Sequence, residues 1–212
     1  DCLLSRGLGD VYKRQSMNRF VPTLLASILA VGLVACSKQG PETAAAPAAG
    51  NNAAVSVGLS ISTLNNPFFV ALRDGAQAEA SKDGINLITV DAQDDPAKQI
   101  ASVEDLIQKK VKVILINPTD SDAVANVVKQ ATAAGIAVVS LDRSVNGAEV
   151  ASHIASDNVA GGKLAAEFLL EKLGGKGNLV ELEGVPGTSA ARERGQGFHS
   201  VVDGKDLSLI HI

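Results

Sequence analysis

Two asparagines and two phenylalanines stand together in "STLNNPFFVALRDG" (62–75), and three further polar clusters follow. They are "INPTD" (116–120), "LDR" (141–143) and "TSAARER" (188–194). Together they offer amides, a carboxylate, guanidinium groups and aromatic rings: Asn66, Phe68, Phe69, Asn117, Asp142, Arg143 and Arg194. That set suits a small polyhydroxylated ligand. A carboxylate accepts from hydroxyls, a guanidinium donates in a fixed fork, and an amide does both. A ring covers an apolar C–H face and excludes water. The pairing of rings is not a matter of abundance, because the chain has only five Phe, one Tyr and no Trp.

Each cluster also has an ordinary reading. Pro67 suits the first helical position and Asn66 the N-cap, so "NNPFF" reads equally as a helix start. Asn117–Pro118 is a common turn signal. Asp142–Arg143 reads as a solvated pair, and Arg192 with Arg194 as an exposed helix face. What joins the clusters is their place in the order of elements.

From Val55 the chain alternates between short apolar runs and helical patterns. Strands are expected over 55–62, 85–90, 111–116, 136–141, 151–156 and 178–184. Helices are expected over 67–83, about 96–110, about 121–134, from Asp157 to about 175, and 188–202. Near-continuous apolar strands separated by helices predict an α/β fold, a parallel sheet with helices on both faces. Gly84 and Gly135 follow helices, where a left-handed cap wants glycine. In such sheets ligands bind beyond the carboxyl ends of the strands. All four clusters fall there, accompanied by Asn65, Thr188, Ser189 and Arg192.

Catalytic and cofactor patterns are missing from the sequence: no G-x-S-x-G, no P-loop, no H-E-x-x-H and no C-x-x-C. The first strand is followed by "TLNNPFF" rather than G-x-G-x-x-G. "AGGK" (160–163) reads as glycine for close helix packing in preference to an anion site. His153, His199 and His211 are isolated in sequence and predict no metal site. With 212 residues, 46% of them hydrophobic, and a net charge of −4 without a basic block, nucleic acid is not an expected partner. The expectation is a binding protein, with no cofactor and no catalysis.

The N-terminal part is a different kind of sequence. From Met17, "MNRFVPTLLASILAVGLVAC" places Arg19 before an apolar run from Phe20 to Ala35. This is too short to span a bilayer and reads as a secretory signal. Its end, "LVAC", resembles the bacterial lipobox, which makes Cys36 the lipidated first residue of the mature chain. Residues 37–54 are small, polar and rich in Pro and Ala, a flexible tether. Residues 1–16 and 206–212 are set aside as non-native read-through.

"STLNNPFF", "LINPTDSDAV", "LDR", "SHIASDN" and "GTSAARERG" together resemble the ribose-binding family of bacterial ABC sugar importers, the type I periplasmic binding proteins. The resemblance runs from about Val55 to about Val202. It implies two similar α/β lobes joined by three crossings, with sugar enclosed in the cleft. On it, 55–156 is the N-terminal ligand-binding lobe and 157–205 an incomplete C-terminal lobe, the first crossing falling near Ser156–Asp157. It implies sugar contacts at Asn66, Phe68, Phe69, Asn117, Asp142, Arg143 and Arg194. It further implies D-ribose or a closely related monosaccharide as ligand, a membrane permease and a chemoreceptor as partners, and a periplasmic or cell-surface location. Two consequences are expected: Asp142→Ala lowers affinity with little change in stability, and the chain as written binds sugar poorly or not at all. The alternatives are a receptor for another sugar or a furanosyl signal molecule, and a sugar-sensing repressor domain. The latter needs a helix-turn-helix where this chain has a signal sequence.

Overall fold

The computed structural model describes residues 54–212. Its elements alternate as the apolar runs predict. They are β1 (Ser56–Ile61), α1 (Pro67–Lys82), β2 (Asn86–Asp91), α2 (Pro96–Gln108), β3 (Val113–Ile116) and α3 (Ala125–Ala133). There follow β4 (Ala137–Leu141), β5 (Ser152–Ile154), α4 (Asn158–Leu173), β6 (Lys176–Glu181), α5 (Ser189–Val202) and β7 (Asp206–His211).

Five strands form one parallel sheet in the order β2-β1-β3-β4-β5. The chain steps outward from β1 to β2 and then returns to the other side of β1 for β3. The carboxyl ends of β1 and β3 therefore flank a topological switch point, the crevice where open sheets of this kind bind ligands. The core lies under α2 and α3, around Val103, Leu106, Ile114, Ile116, Val127 and Val138. Gly58 lets α2 sit directly on β1: a Cβ there would come within 2.7 Å of Leu106 Cδ1.

Helix starts follow local chemistry. Asn66 accepts from the Phe68 amide at 3.0 Å with Pro67 behind it, and Asp95 accepts from Ala97 and Lys98 ahead of Pro96 at the first helical position. Asp157 caps α4 and Thr188 caps α5. Gly84 and Gly135 take φ of +67° and +77° beyond α1 and α3. The helix expected from 121 begins only at Ala125. Asp120 Oδ1 draws the amides of Asp122 and Ala123 into a turn, and the Ser121 amide donates to Gly187 instead.

A second, two-stranded parallel sheet joins β6 and β7. Residues 206–211, which the sequence reading sets aside, are all within β7, paired from Lys176↔Asp206 to Glu181↔His211. This sheet packs on α4 and α5 through a small cluster of Ala166, Leu179 and Val202. Among the described residues no helix is long and apolar enough to cross a membrane. The signal segment, Cys36 and the tether to residue 53 lie outside the described residues.

Candidate functional site

A cavity of about 750 Å³ opens at the carboxyl ends of β1 and β4. Asn66, Phe68, Phe69, Asp142 and Arg143 line it from one side, and Arg194 with Phe198 of α5 from the other. Six of the seven sequence candidates thus meet in one space, the exception being Asn117.

The two rings divide their roles. Phe69 is 3% exposed and packs into the base of α1, whereas Phe68 is 56% exposed. They meet edge to face, centroids 5.4 Å apart. The Arg143 guanidinium lies over the Phe69 ring at 5.1 Å, a cation–π contact that keeps the charge at the cavity wall. Asn66 and Pro67 start the helix, as the ordinary reading of "NNPFF" has it, and both rings line the cavity.

Asp142 sits at φ +64°, a left-handed position that few residues other than glycine adopt. Its amide donates to Ile154 at 2.7 Å, and the next amide, of Arg143, folds back to Leu141 at 2.7 Å. This tight three-residue turn ends β4 abruptly and turns both charged side chains to the rim. Strain of this kind is held only where the surroundings over-determine it, and it clusters at functional sites. Arg143 Nη1 donates to the Pro118 carbonyl at 2.8 Å, while its Nε is 3.8 Å from Asp142 Oδ2, an ion contact and not a hydrogen bond. Burial pushes the Arg143 guanidinium below its ordinary pKa. Asp142 and Asp94 oppose that shift, and the nearby Arg194 adds to it. The pair is half-buried and so is not the freely solvated pair of the ordinary reading.

Asn117 lies behind the rim, fully buried. Its Oδ1 accepts from Ser62 Oγ at 2.6 Å and from the Ser62 amide at 3.3 Å, and its Nδ2 donates to the Leu141 carbonyl at 3.0 Å. One side chain thus ties the ends of β1, β3 and β4 across the switch point. Gln99 completes this layer from α2. Its Nε2 donates to Ser60 Oγ and the Asn117 carbonyl, and its Oε1 accepts from the amide and hydroxyl of Thr119. Every polar atom of the two amides is paired, as burial demands. The sequence offers no sign of Gln99, which reads as an ordinary residue of an amphipathic helix.

A second group of bonds holds the start of α5 against the β3 and β4 loops. The Ser189 amide donates to Ser121 Oγ at 3.0 Å and the Ser144 amide to Ser189 Oγ at 2.8 Å. Arg192 pairs with Asp122 at 3.2 Å and does not line the cavity. Arg194, two residues on, does line it, with its Nε on Asn158 Oδ1 at 2.9 Å. "AGGK" serves helix packing: Gly162 meets the Arg194 carbonyl and Gly197 the Val159 carbonyl, with no room for a Cβ at either.

The histidines are not all isolated in space. His199 and His211 stack at 5.1 Å, and Glu181 Oε2 lies 3.0 Å from His199 Nε2 and 3.4 Å from His211 Nδ1. Asp203 and Glu183 flank the stack at 2.8 Å each. Glu181 Oε2 is buried without a well-aligned hydrogen bond, and its contacts are ion pairs only where the imidazoles are protonated.

A family model described as the periplasmic binding protein domain matches residues 57–211. The chain is 52% identical over 173 residues to the ribose import binding protein RbsB of Bacillus subtilis, covering 82% of this chain and 57% of that protein. It is 54% identical over 154 residues to the protein of the same name from Escherichia coli, covering 73% and 52%. The solved structure of a Caulobacter myo-inositol binding protein bound to myo-inositol superposes with a TM-score of 0.70 at 32% identity, covering 74% of this chain and 54% of that one. The chain spans about half the length of the curated relatives it matches. Both curated relatives are named as binding proteins.

Proposed function

This chain belongs to the periplasmic binding protein domain family, and from that premise we propose that it is the sugar-receiving part of an extracytoplasmic receptor for an ABC importer, with D-ribose or a close relative as ligand. It binds and delivers, and catalyses nothing. The observation that carries the reading is the cavity itself. The Asp142 carboxylate, the Arg143 and Arg194 guanidinium groups, the Asn66 amide and the rings of Phe68, Phe69 and Phe198 converge there, with Glu181 and Glu183 also in the lining. Those groups offer acceptors and forked donors to ring hydroxyls and an aromatic face to the C–H side of a sugar.

Ribose is favoured over other sugars because the ribose import relatives share about half of their aligned residues with this chain, whereas the inositol-binding neighbour shares about a third. Affinity for so small a ligand demands enclosure. A micromolar Kd needs roughly 8 kcal/mol. A pentose of about ten heavy atoms reaches that only if most of them contribute near the ceiling for small ligands.

Calorimetric titration of the protein from its complete reading frame against a panel of pentoses, hexoses and inositol tests this. Saturable D-ribose binding that is weakened but still measurable in Arg194→Ala is expected. Binding of another panel member alone would replace ribose, and no binding to any sugar would overturn the reading.

The expected partner at the membrane is a permease that takes sugar from the loaded receptor. Lipidation at Cys36 would hold the protein at that membrane through the tether. A single acyl chain binds only marginally, so firm retention requires more than one. Cys36→Ser is expected to move the protein from the membrane to the soluble fraction. An unmodified Cys36 in a soluble mature protein would refute the anchor and leave the sugar reading untouched.

A further inference from the structure

We propose that Asn158 is a positioning residue for the cleft: it grips Arg194 by the Nε edge so that the forked Nη end faces the ligand cavity. This rests on the sugar-receptor reading of that cavity.

Asn158 is the first residue of α4, directly after the Asp157 cap and next to the expected lobe crossing. It is 4% exposed, so its amide must find partners inside the protein. It finds them on two successive residues of α5. Its Oδ1 accepts from Arg194 Nε at 2.9 Å, and its Nδ2 donates to Glu193 Oε2 at 3.1 Å. The amide orientation is not arbitrary, because a guanidinium only donates and a carboxylate only accepts.

The consequence falls on the free end of Arg194. An arginine held at Nε keeps its planar fork in one direction, and no described residue takes its Nη groups in a hydrogen bond. The residue that carries them lines the cavity. A tether is needed there because Arg143 faces the same space with like charge. Repulsion between the two would favour swinging Arg194 out to water. The helix contact supports the same geometry: Gly162 of α4 rests on the Arg194 carbonyl, which fixes the height of Arg194 beside Asn158.

Two readouts separate positioning from mere structural support. The first needs no sugar. In nitrogen-15 NMR spectra of arginine side chains, Arg194 Nε–H, assigned by its loss in Arg194→Lys, is expected to be protected from exchange. Asn158→Ala should abolish that protection. The second is calorimetry with D-ribose on the complete protein. Asn158→Ala should weaken binding on the order of tenfold, the usual loss for a hydrogen bond to a charged group. On an Arg194→Ala background it should change nothing further.

Asn158→Asp combined with Glu193→Gln keeps both bonds with the roles reversed at the second, and should return affinity close to wild type. This double variant also keeps the test decisive if Asn158→Ala folds poorly. An unprotected Arg194 Nε–H in the wild type, or additive losses in the double variant with Arg194→Ala, would overturn the proposal. If the wild type binds no sugar, the receptor reading fails, and the exchange measurement still decides whether Asn158 holds Arg194.

Discussion

The Arg143 guanidinium carbon lies 5.1 Å from the centroid of the Phe69 ring, and that ring is almost wholly buried. One side chain therefore serves both the core of the lobe and the wall of the cavity, because α1 begins at the cavity's edge.

Substitutions at the two rings should part company for that reason. Phe69→Ala is expected to destabilise the fold by about 3–5 kcal/mol, and to loosen Arg143 and weaken sugar binding as well. Phe68→Ala should stay within about 0.5 kcal/mol in stability and act on sugar affinity alone. Chemical denaturation paired with calorimetry checks both. A strong loss of stability in Phe68→Ala would make that ring a core residue.

Asp142 calls for a comparison of two variants. Alanine at its left-handed φ of +64° should cost about 1–2 kcal/mol in stability, where the sequence alone leads one to expect little change. Glycine fits that conformation without the Cβ penalty. Asp142→Gly should hence be nearly neutral in stability, yet lose sugar affinity as fully as Asp142→Ala, by about 2–4 kcal/mol. Equal destabilisation by the two variants would show that the turn carries no strain.

The buried amide layer should be among the most sensitive parts of the lobe. Gln99→Leu leaves the Thr119 amide and hydroxyl without their acceptor and Ser60 Oγ without its donor. Each stranded group costs about 1–3 kcal/mol. Asn117→Leu strands the Ser62 amide and hydroxyl and the Leu141 carbonyl, and should behave alike. Urea titration of the two variants and their combination should give less than the sum of the single effects, because the residues share one network. Full additivity would contradict it.

His199 predicts a pH dependence. Its hydrogen bond to Asp203 raises its pKa above the ordinary 6.5, burial opposes the rise, and Glu181 adds to it. A folded value above the unfolded one means that the charged form stabilises the fold. That contribution is complete below the unfolded pKa and is lost as pH rises through the folded value. Thermal melts from mildly acidic to mildly alkaline pH should show stability falling across this window, and His199→Gln should remove that part of the fall. An identical profile in the variant would show that the stacked histidines and their carboxylates contribute nothing.

The succession of elements, and the rim on which the candidate residues stand, were legible in the amino-acid sequence. Both follow from short-range physics. Apolar runs with a β preference, helical periodicity, and caps such as Asn66–Pro67 or Asp95–Pro96 are all written within a few residues of where they act. Parallel strands each followed by a helix then bring their strand-to-helix loops to one end of the sheet. Which way each rim residue turns depends instead on contacts between distant parts of the chain. Phe68 and Phe69 are adjacent and chemically identical, and the contact of Arg143, from far along the chain, separates their roles. Asn117 reads like Asn66, but the ends of β1 and β4 on either side of it offer Ser62 and Leu141, and it turns inward. Arg192 and Arg194 differ by two positions on α5, which sends one to Asp122 and the other to Asn158 and the cavity. Partners of this kind lie between about 24 and 74 residues apart in the chain. No local pattern records them, because each bond exists only once the sheet order and the α4–α5 contact have brought the two ends together.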